Sequence, residues 1–135
     1  MLLIDTNILA RCSQGRAMIR LHALHARGVN LATTDRNVDE LERKLVEVFG
    51  WSEKDARSEV DRVLDAVEVV PARDYEHGRR AADQRLRQGG KSDWPALAAA
   101  LTLDAAIWSD DVDFFGVGVP VWSTANVRFV EAEAA

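Results

Sequence analysis

The chain has 135 residues, of which 47% are hydrophobic and 29% charged, a composition typical of a globular protein and consistent with one domain over residues 1–135. Its net charge of −5 lacks the basic surplus of most nucleic-acid-binding proteins, although acids gathered in one pocket can leave a basic rim. The one cysteine excludes an internal disulfide, and neither a signal peptide nor an apolar run of about 18 residues is recognisable, so we expect a cytoplasmic protein.

The first half of the chain predicts two strands and two helices. Leu2-Leu3-Ile4 reads as a short buried strand, stopped by Asp5-Thr6-Asn7, of which Thr6 or Asn7 is expected to cap the next helix. The apolar spacing then predicts a helix over residues 8–26 that ends at Gly28, a strand over 29–32, and a helix from Val38 that ends at Gly50.

The second half continues the alternation of helices and strands. It predicts, in order, a helix from Ser52 to Leu64, a strand over 67–70, helices over 74–88 and 93–103, the latter capped by Ser92, and strands over 105–108 and 117–122. Strands that alternate with helices form parallel sheets covered on both faces. The fold predicted is therefore a three-layer α/β/α sandwich with a central parallel sheet of four to five strands.

Acidic residues recur at one type of position in this predicted fold. Asp5 follows the first strand, Glu40 lies early in the helix after the second, and Asp93 opens a helix. Asp110, Asp111 and Asp113 follow the fourth strand. Ligands collect at the carboxyl edge of such sheets, and carboxylates gathered there repel one another unless a cation joins them. Oxygen ligands without His or Cys favour Mg²⁺ or Mn²⁺ over Zn²⁺.

These segments, taken in order, resemble the motifs of PIN-domain nucleases. The matching stretches are Leu3 to Asn7, Val38 to Leu41, the alanine-rich stretch from Asp93 to Ala100, and Ile107 to Phe114. The resemblance covers essentially the whole chain and implies the PIN fold. It also implies a ribonuclease dependent on Mg²⁺ or Mn²⁺ that leaves a 5′-phosphate and a 3′-hydroxyl. Many bacterial members are VapC-type toxins silenced by an antitoxin, and homodimers are expected.

Carried over to this chain, the resemblance assigns roles to seven residues. Four acids would bind metal and carry catalysis: Asp5, Glu40, Asp93 and Asp111. Asp113 would be an additional carboxylate near the site, and Asn7 and Ser109 would orient a carboxylate or a water. Because Asp110 stands beside Asp111, the motif leaves open which of the two is the ligand. The implied mechanism is metal-assisted hydrolysis of a phosphodiester by one or two ions.

A basic stretch precedes Asp93 and is the candidate RNA contact. It comprises Arg79, Arg80, Arg85, Arg87 and Lys91. Phosphate contacts supply much of the affinity of nucleic-acid-binding proteins, so a basic rim beside an acidic pocket suits an RNA nuclease. The alternative is an ordinary solvated helix face. The tryptophans Trp94, Trp108 and Trp122 are predicted to lie in the core or an interface rather than to stack on bases.

Other functions remain open at this stage. The chain could be a catalytically inactive PIN-like module that binds a protein, or a nuclease that processes RNA without being a toxin. Phosphoryl transfer through an aspartyl phosphate is disfavoured. Haloacid-dehalogenase phosphatases, which use this chemistry, require an acid where this chain has Asn7. Response-regulator receiver domains, which also use it, require a lysine late in the domain, whereas no lysine follows Lys91.

Overall fold

The structure, a computed structural model, describes residues 1–133 and contains a five-stranded sheet in which every pair of neighbours is parallel. The strands are β1 (Leu2–Ile4), β2 (Leu31–Thr34), β3 (Glu68–Val70), β4 (Ala106–Trp108) and β5 (Val121–Trp122). Their order across the sheet is β3-β2-β1-β4-β5. The strand β1 therefore lies at the centre, between β2 and β4, as the predicted α/β/α sandwich requires.

Helices connect the strands and cover both faces of the sheet. They are α1 (Thr6–Ser13), α2 (Arg16–Ala26), α3 (Asp35–Glu47), α4 (Glu53–Val63), α5 (Ala72–Tyr75), α6 (Arg79–Arg85) and α7 (Trp94–Leu103). Short 3₁₀ segments lie at Leu64–Ala66, Glu76–Gly78, Gln88–Asp93, Val112–Phe114 and Val127–Phe129. Among residues 1–133, no helix combines the length and apolar character that crossing a membrane requires.

The sheet separates two hydrophobic cores because side chains alternate between the faces of a strand. Leu2 and Ile4 of β1 pack in one core with residues of α1 to α4. Leu3 points to the opposite core, which contains Ile107 and the buried face of α7. The residues Ala98–Ala100 of α7 are fully buried, and such small side chains allow a helix to lie close against the sheet.

Two predicted helices prove to be interrupted. The helix predicted over residues 8–26 is divided into α1 and α2, because Gly15 has φ 111°, which lies outside helical geometry. The helix predicted over 74–88 is also wrong as a single element, since it consists of α5, a 3₁₀ turn and α6, and ends where Leu86 turns to extended backbone. Beside this break, the buried Tyr75 hydroxyl donates a hydrogen bond to Asp35 and thereby ties α5 to α3.

Smaller corrections concern strand and helix ends. Strand β2 begins at Leu31, two residues later than predicted. The residue that precedes α1 is Asp5, so Thr6 and Asn7 lie inside the helix rather than at its cap. Ser92 lies within a 3₁₀ turn, and Asp93 precedes α7 without a capping hydrogen bond from its side chain. The Asp93 carboxylate is therefore free to face other groups.

The burial pattern predicts a large contrast between two isoleucines. Ile107 is fully buried in the central region of the sheet, whereas Ile19 is 74% exposed on α2. Ile107→Ala should lower the free energy of unfolding by about 2–5 kcal/mol because it leaves a cavity. Ile19→Ala should change it by less than about 0.5 kcal/mol. Urea denaturation of both variants checks the contrast, and equal losses would contradict the assignment of Ile107 to the core.

Candidate active site

The carboxyl edge of the sheet gathers the acidic residues because β1, β2 and β4 are neighbours. Asp5 follows β1 directly, and its backbone N–H donates to the carbonyl of Trp108 at the end of β4, with an N–O distance of 3.1 Å. Ser109 is the next residue after β4. The pairing of β1 with β4 therefore brings Asp5 beside the loop that carries Asp111 and Asp113.

Three carboxylates from two segments converge at this edge. Asp93, Asp111 and Asp113 each contribute an oxygen, and these three oxygens lie within 4.8 Å of one another. We call these three residues the acidic triad. Asp93 arrives from the start of α7, whereas Asp111 and Asp113 flank the beginning of the 3₁₀ turn Val112–Phe114. The Asp111 carboxylate fixes that turn by accepting a hydrogen bond of 2.9 Å from the Asp113 backbone N–H.

Asp5 is held beside the triad by a short hydrogen-bonded chain. The Ser109 hydroxyl donates to Asp5 Oδ2 at 2.9 Å, and Ser109 Oγ accepts from the Asp111 backbone N–H at 3.0 Å. Asp5 is only 4% exposed and Ser109 only 2%. Ser109 therefore links Asp5 and Asp111, two of the predicted site residues.

Burial and the charges of neighbouring acids raise the pKa of two acids at this edge, Asp5 and Asp93. Burial raises the pKa of Asp5 to about 6; the negative charges of Glu40 and Asp111 add to this effect, and the Ser109 hydrogen bond opposes it. Burial also raises the pKa of Asp93 to about 7, assisted by the charges of Asp5, Asp111, Asp113 and Glu40. Like charges in a partly buried site disfavour ionisation. The five acids therefore share one electrostatic environment.

Glu40 is positioned by neutral side chains from two strand ends. The Thr6 hydroxyl donates to Glu40 Oε2 at 3.2 Å and itself accepts from Asn37 Nδ2 at 2.7 Å. The Thr34 hydroxyl lies 2.6 Å from Asn37 Oδ1 and completes the network. Thr6, Thr34 and Asn37 are all buried and hold Glu40 through this network. The sequence does not predict it, because an isolated Asn in an acid-rich helix gives no signal of its partner.

Asn7 lies apart from the buried acids. Its side chain is exposed, and its Oδ1 accepts a hydrogen bond of 2.6 Å from Lys44 Nζ. The same Lys44 nitrogen lies 3.8 Å from Glu40 Oε1. The link from Asn7 to the candidate site therefore runs through Lys44, and the structure does not bring Asn7 into hydrogen-bond contact with an acid of the site.

The geometry distinguishes Asp111 from its neighbour Asp110. Asp110 is turned away from the triad, since Thr124 donates to it through both its N–H and its hydroxyl at 2.7 Å, and Arg11 forms an ion pair with it. Partial burial raises the pKa of Asp110, but these bonds from Thr124 and Arg11 outweigh it and hold the pKa below its usual value. The carboxylate aimed at Asp93 is that of Asp111.

A glycine and an arginine hold Asp113 in place. Arg87 pairs with the Asp113 carboxylate through its Nε atom. Gly90 is buried against the same side chain, and a Cβ atom at this position would lie only 2.7 Å from Asp113 Cγ. Because Gly90 has no side chain, the segment before α7 can approach the triad.

Most of the predicted basic rim is engaged within the protein. The five residues are Arg79, Arg80, Arg85, Arg87 and Lys91. Arg85 donates to the carbonyl of Val117 at 2.9 Å, and Arg87 pairs with Asp113. Of these two side chains, that of Arg87 lies at the acidic triad while remaining 65% exposed.

The other members of the basic rim lie near α6. Lys91 donates to the carbonyl of Asp83 at 2.6 Å, and Arg79 pairs with the Asp83 carboxylate at 3.7 Å. The Arg79 guanidinium also lies over the Trp94 ring, 4.5 Å from its centroid. Arg80 is exposed. Trp94 itself is buried, as predicted for a core residue.

The donor set of the candidate site fits a hard divalent cation. Asp5, Glu40 and the acidic triad offer carboxylate oxygens only, which suit Mg²⁺ and Mn²⁺ better than Zn²⁺. Burial and neighbouring negative charges raise the pKa of Asp5 and of Asp93, so the ionised forms of these acids are disfavoured without a cation. A cation among them would supply that charge and favour their ionised forms.

Several solved structures share this fold. VapBC2 from Rickettsia felis, bound to a promoter DNA fragment, has a TM-score of 0.68 at 16% identity, covering 90% of this chain and 97% of that one. A toxin–antitoxin complex from Klebsiella pneumoniae has a TM-score of 0.65 at 22% identity, with 90% and 96% coverage. FitAcB from Neisseria gonorrhoeae has a TM-score of 0.63 at 20% identity, also with 90% and 96% coverage.

The family of the chain follows from a comparison with family models. At the identities above, the structural matches show the fold alone. A search of curated protein sequences gave no significant match. The PIN-domain model, however, matches residues 3–132 and so spans the sheet, the acidic triad and every other acid of the site. The chain belongs to the PIN-domain family.

Proposed function

We propose that the protein is a Mg²⁺- or Mn²⁺-dependent endoribonuclease and the toxin of a bacterial toxin–antitoxin pair. The observation that carries the nuclease proposal is the acidic triad, whose oxygens lie within 4.8 Å of one another beside the buried Asp5. Membership in the PIN-domain family supports it. A module without catalysis would have no physical reason to gather five mutually repelling acids at one edge.

The residues proposed to hold the ion or ions are Asp5, Glu40, Asp93 and Asp111, with Asp113 as an additional carboxylate. When bound, such an ion lowers the pKa of a water molecule and stabilises the charge on a phosphodiester. The chain's own contribution is orientation. Ser109 holds the Asp5 carboxylate through a hydrogen bond of 2.9 Å, and Thr6 holds that of Glu40. Such supporting contacts fix ligand geometry and tune affinity.

The toxin role and its partner rest on the structural relatives. VapBC2 from Rickettsia felis and the complex from Klebsiella pneumoniae are described as toxin–antitoxin or VapBC assemblies. By analogy with these assemblies we propose an antitoxin protein as the partner of this chain, whereas the proposed RNA substrate rests on the resemblance to PIN-domain nucleases. The homodimer remains a prediction from the family resemblance. A nuclease that processes RNA outside a toxin–antitoxin pair would use the same site.

The nuclease proposal is tested by comparing two adjacent aspartates. Asp111→Asn should reduce Mn²⁺-dependent cleavage of a mixed RNA panel by roughly 100-fold or more, because it removes a charged ligand from the acidic triad. Asp110→Asn should cleave like the wild type, since the Asp110 carboxylate faces Arg11 and Thr124 instead. Cleavage is measured on denaturing gels, with circular dichroism to confirm equal folding.

Three results of this comparison carry information. Cleavage that EDTA abolishes and that only Asp111→Asn loses supports the proposal. Equal loss in both variants would contradict the assignment of Asp111. The absence of Mn²⁺-dependent cleavage by the wild-type protein on every RNA would contradict the proposed activity.

A second prediction concerns stability in the metal-free state. The pKa of Asp93 is raised from 3.8 to about 7 in the folded protein, so between these values the folded state binds more protons than the unfolded state. The free energy of unfolding contributed by this group therefore falls as the pH rises through that window. In EDTA, Asp93→Asn should stabilise the protein at about pH 8 and have little effect at about pH 4.

Asp110, which lies outside the acidic triad, supplies the matched control for this prediction. The pKa of Asp110 is lowered, so its ionised form stabilises the folded protein and Asp110→Asn should be destabilising near neutral pH. Urea denaturation across the pH range measures both differences relative to the wild type. A pH-independent effect of Asp93→Asn would contradict the raised pKa of Asp93. Addition of Mn²⁺ should reverse the wild-type trend, because the ion binds the ionised acids.

A further inference from the structure

The turn after β4 carries two exposed apolar side chains that are close in sequence to acids of the candidate site. Phe115 is 71% exposed and Val112 is 53% exposed. Val112 stands between Asp111 and Asp113, whose carboxylates belong to the acidic triad. Single exposed hydrophobic residues are ordinary on protein surfaces. This pair is distinguished by its position, because Phe115 is two residues from Asp113 and its Cα atom lies within about 7 Å of that residue along the chain.

The turn that carries Phe115 is held at several points. Phe114 is fully buried and anchors the turn in the core beneath α7. The Phe115 N–H donates to the carbonyl of Val112 at 3.0 Å, and the Asp111 carboxylate caps the turn. Gly116 follows with φ 72°, a conformation that reverses the chain direction at little steric cost. Phe115 is therefore presented outward from a structured segment.

Most of the basic residues predicted to contact RNA have partners within the protein. The chain has a net charge of −5, and four of the five predicted basic contacts are directed to carboxylates or backbone carbonyls of the protein. The site itself is acidic and repels phosphates in the absence of a cation. An uncharged contact is the kind of interaction that avoids this repulsion. Nucleobases stack on exposed aromatic rings with energies that depend little on their sequence.

We propose that Phe115 is a substrate-binding residue that stacks on an unpaired nucleobase next to the scissile phosphate, with Val112 extending the apolar surface. The proposal rests on the nuclease function proposed above and adds to it a residue that recognises an unpaired base. A paired base is stacked within its helix and does not offer its face to a side chain. The ring acts on binding, whereas the acids act on the chemical step, so KM and kcat should respond separately.

The test uses a single-stranded RNA that the wild-type protein cleaves, chosen from a mixed-sequence library. Phe115→Ala should raise KM by about 5- to 100-fold with little change in kcat, the range that loss of one stacked base produces. Phe115→Trp should have a KM close to that of the wild type, because any aromatic ring provides a stacking face. Phe115→Leu should have a raised KM, because leucine has no such face. The matched control is Phe129→Ala, since Phe129 is 60% exposed in a different 3₁₀ turn that packs on α2.

A second measurement separates stacking from a general effect on the fold. Abasic nucleotides are introduced one at a time around the cleavage position of the same RNA. One position should weaken binding by the wild-type protein and have no further effect on Phe115→Ala, which is the coupling expected of a direct contact. Fully paired RNA of the same sequence should be a poor substrate for the wild type.

The outcomes distinguish failure of this inference from failure of the proposed function. If the wild-type protein cleaves RNA and Phe115→Ala matches it in KM, or if no abasic position couples to Phe115, the stacking contact is refuted while the nuclease stands. Phe115→Ala that retains RNA cleavage but no longer binds a co-purified protein partner would assign the residue to a protein interface instead. A wild-type protein that cleaves no RNA overturns both proposals.

Discussion

Repulsion among carboxylates is the constraint on which the candidate site depends. Parallel pairing of β1 with β4 brings Asp5 against the loop after β4, and α7 adds Asp93 from the same edge. The pKa values of Asp5 and Asp93 are raised as a result, since burial and like charges both disfavour ionisation. A cation is the group that turns this unfavourable cluster into a stable one.

The surrounding structure holds the repelling groups at defined positions. Ser109 connects Asp5 to the Asp111 backbone, and Thr6 connects Asn37 to Glu40. These buried hydroxyl and amide groups have partners on both sides, which makes their orientation rigid. Gly90 and Arg87 play a comparable role for Asp113 from the segment before α7. The site is thus a set of acids from loops and helix starts, of which Asp5, Glu40 and Asp113 are held by neutral or basic side chains of other elements.

The sequence predicted the parallel sheet and the position of each acid because both depend on local patterns. Three aliphatic residues followed by Asp5 predict a strand end from the local pattern alone. The break at Gly15 was missed because the apolar spacing continues across it, and one glycine is tolerated in many helices. Asn37 and Gly90 were missed for a different reason. Their roles lie in contacts to Thr6 and Asp113, residues far away in the chain, and no local pattern encodes such contacts.

The basic rim shows why residue type alone does not specify a binding surface. Arginines before Asp93 are as compatible with phosphate contacts as with internal pairs, and the pairing is decided by tertiary geometry. Arg85 reaches the carbonyl of Val117 and Arg87 reaches Asp113, so part of their hydrogen-bonding capacity is already used. The same geometry exposes Phe115, which no spacing argument singled out. Recognition of RNA by this site would then combine a cation, a few basic groups and an aromatic face.

The central claim is that the acids of the sheet edge form a site for a divalent cation. Isothermal titration of Mn²⁺ into the metal-free wild-type protein near neutral pH, repeated in buffers of different ionisation enthalpy, tests it most directly. The account predicts saturable binding with release of protons, because Asp5 and Asp93, with pKa values of about 6 and about 7, must ionise when the cation binds. Absence of saturable binding, or binding without proton release, would contradict the account.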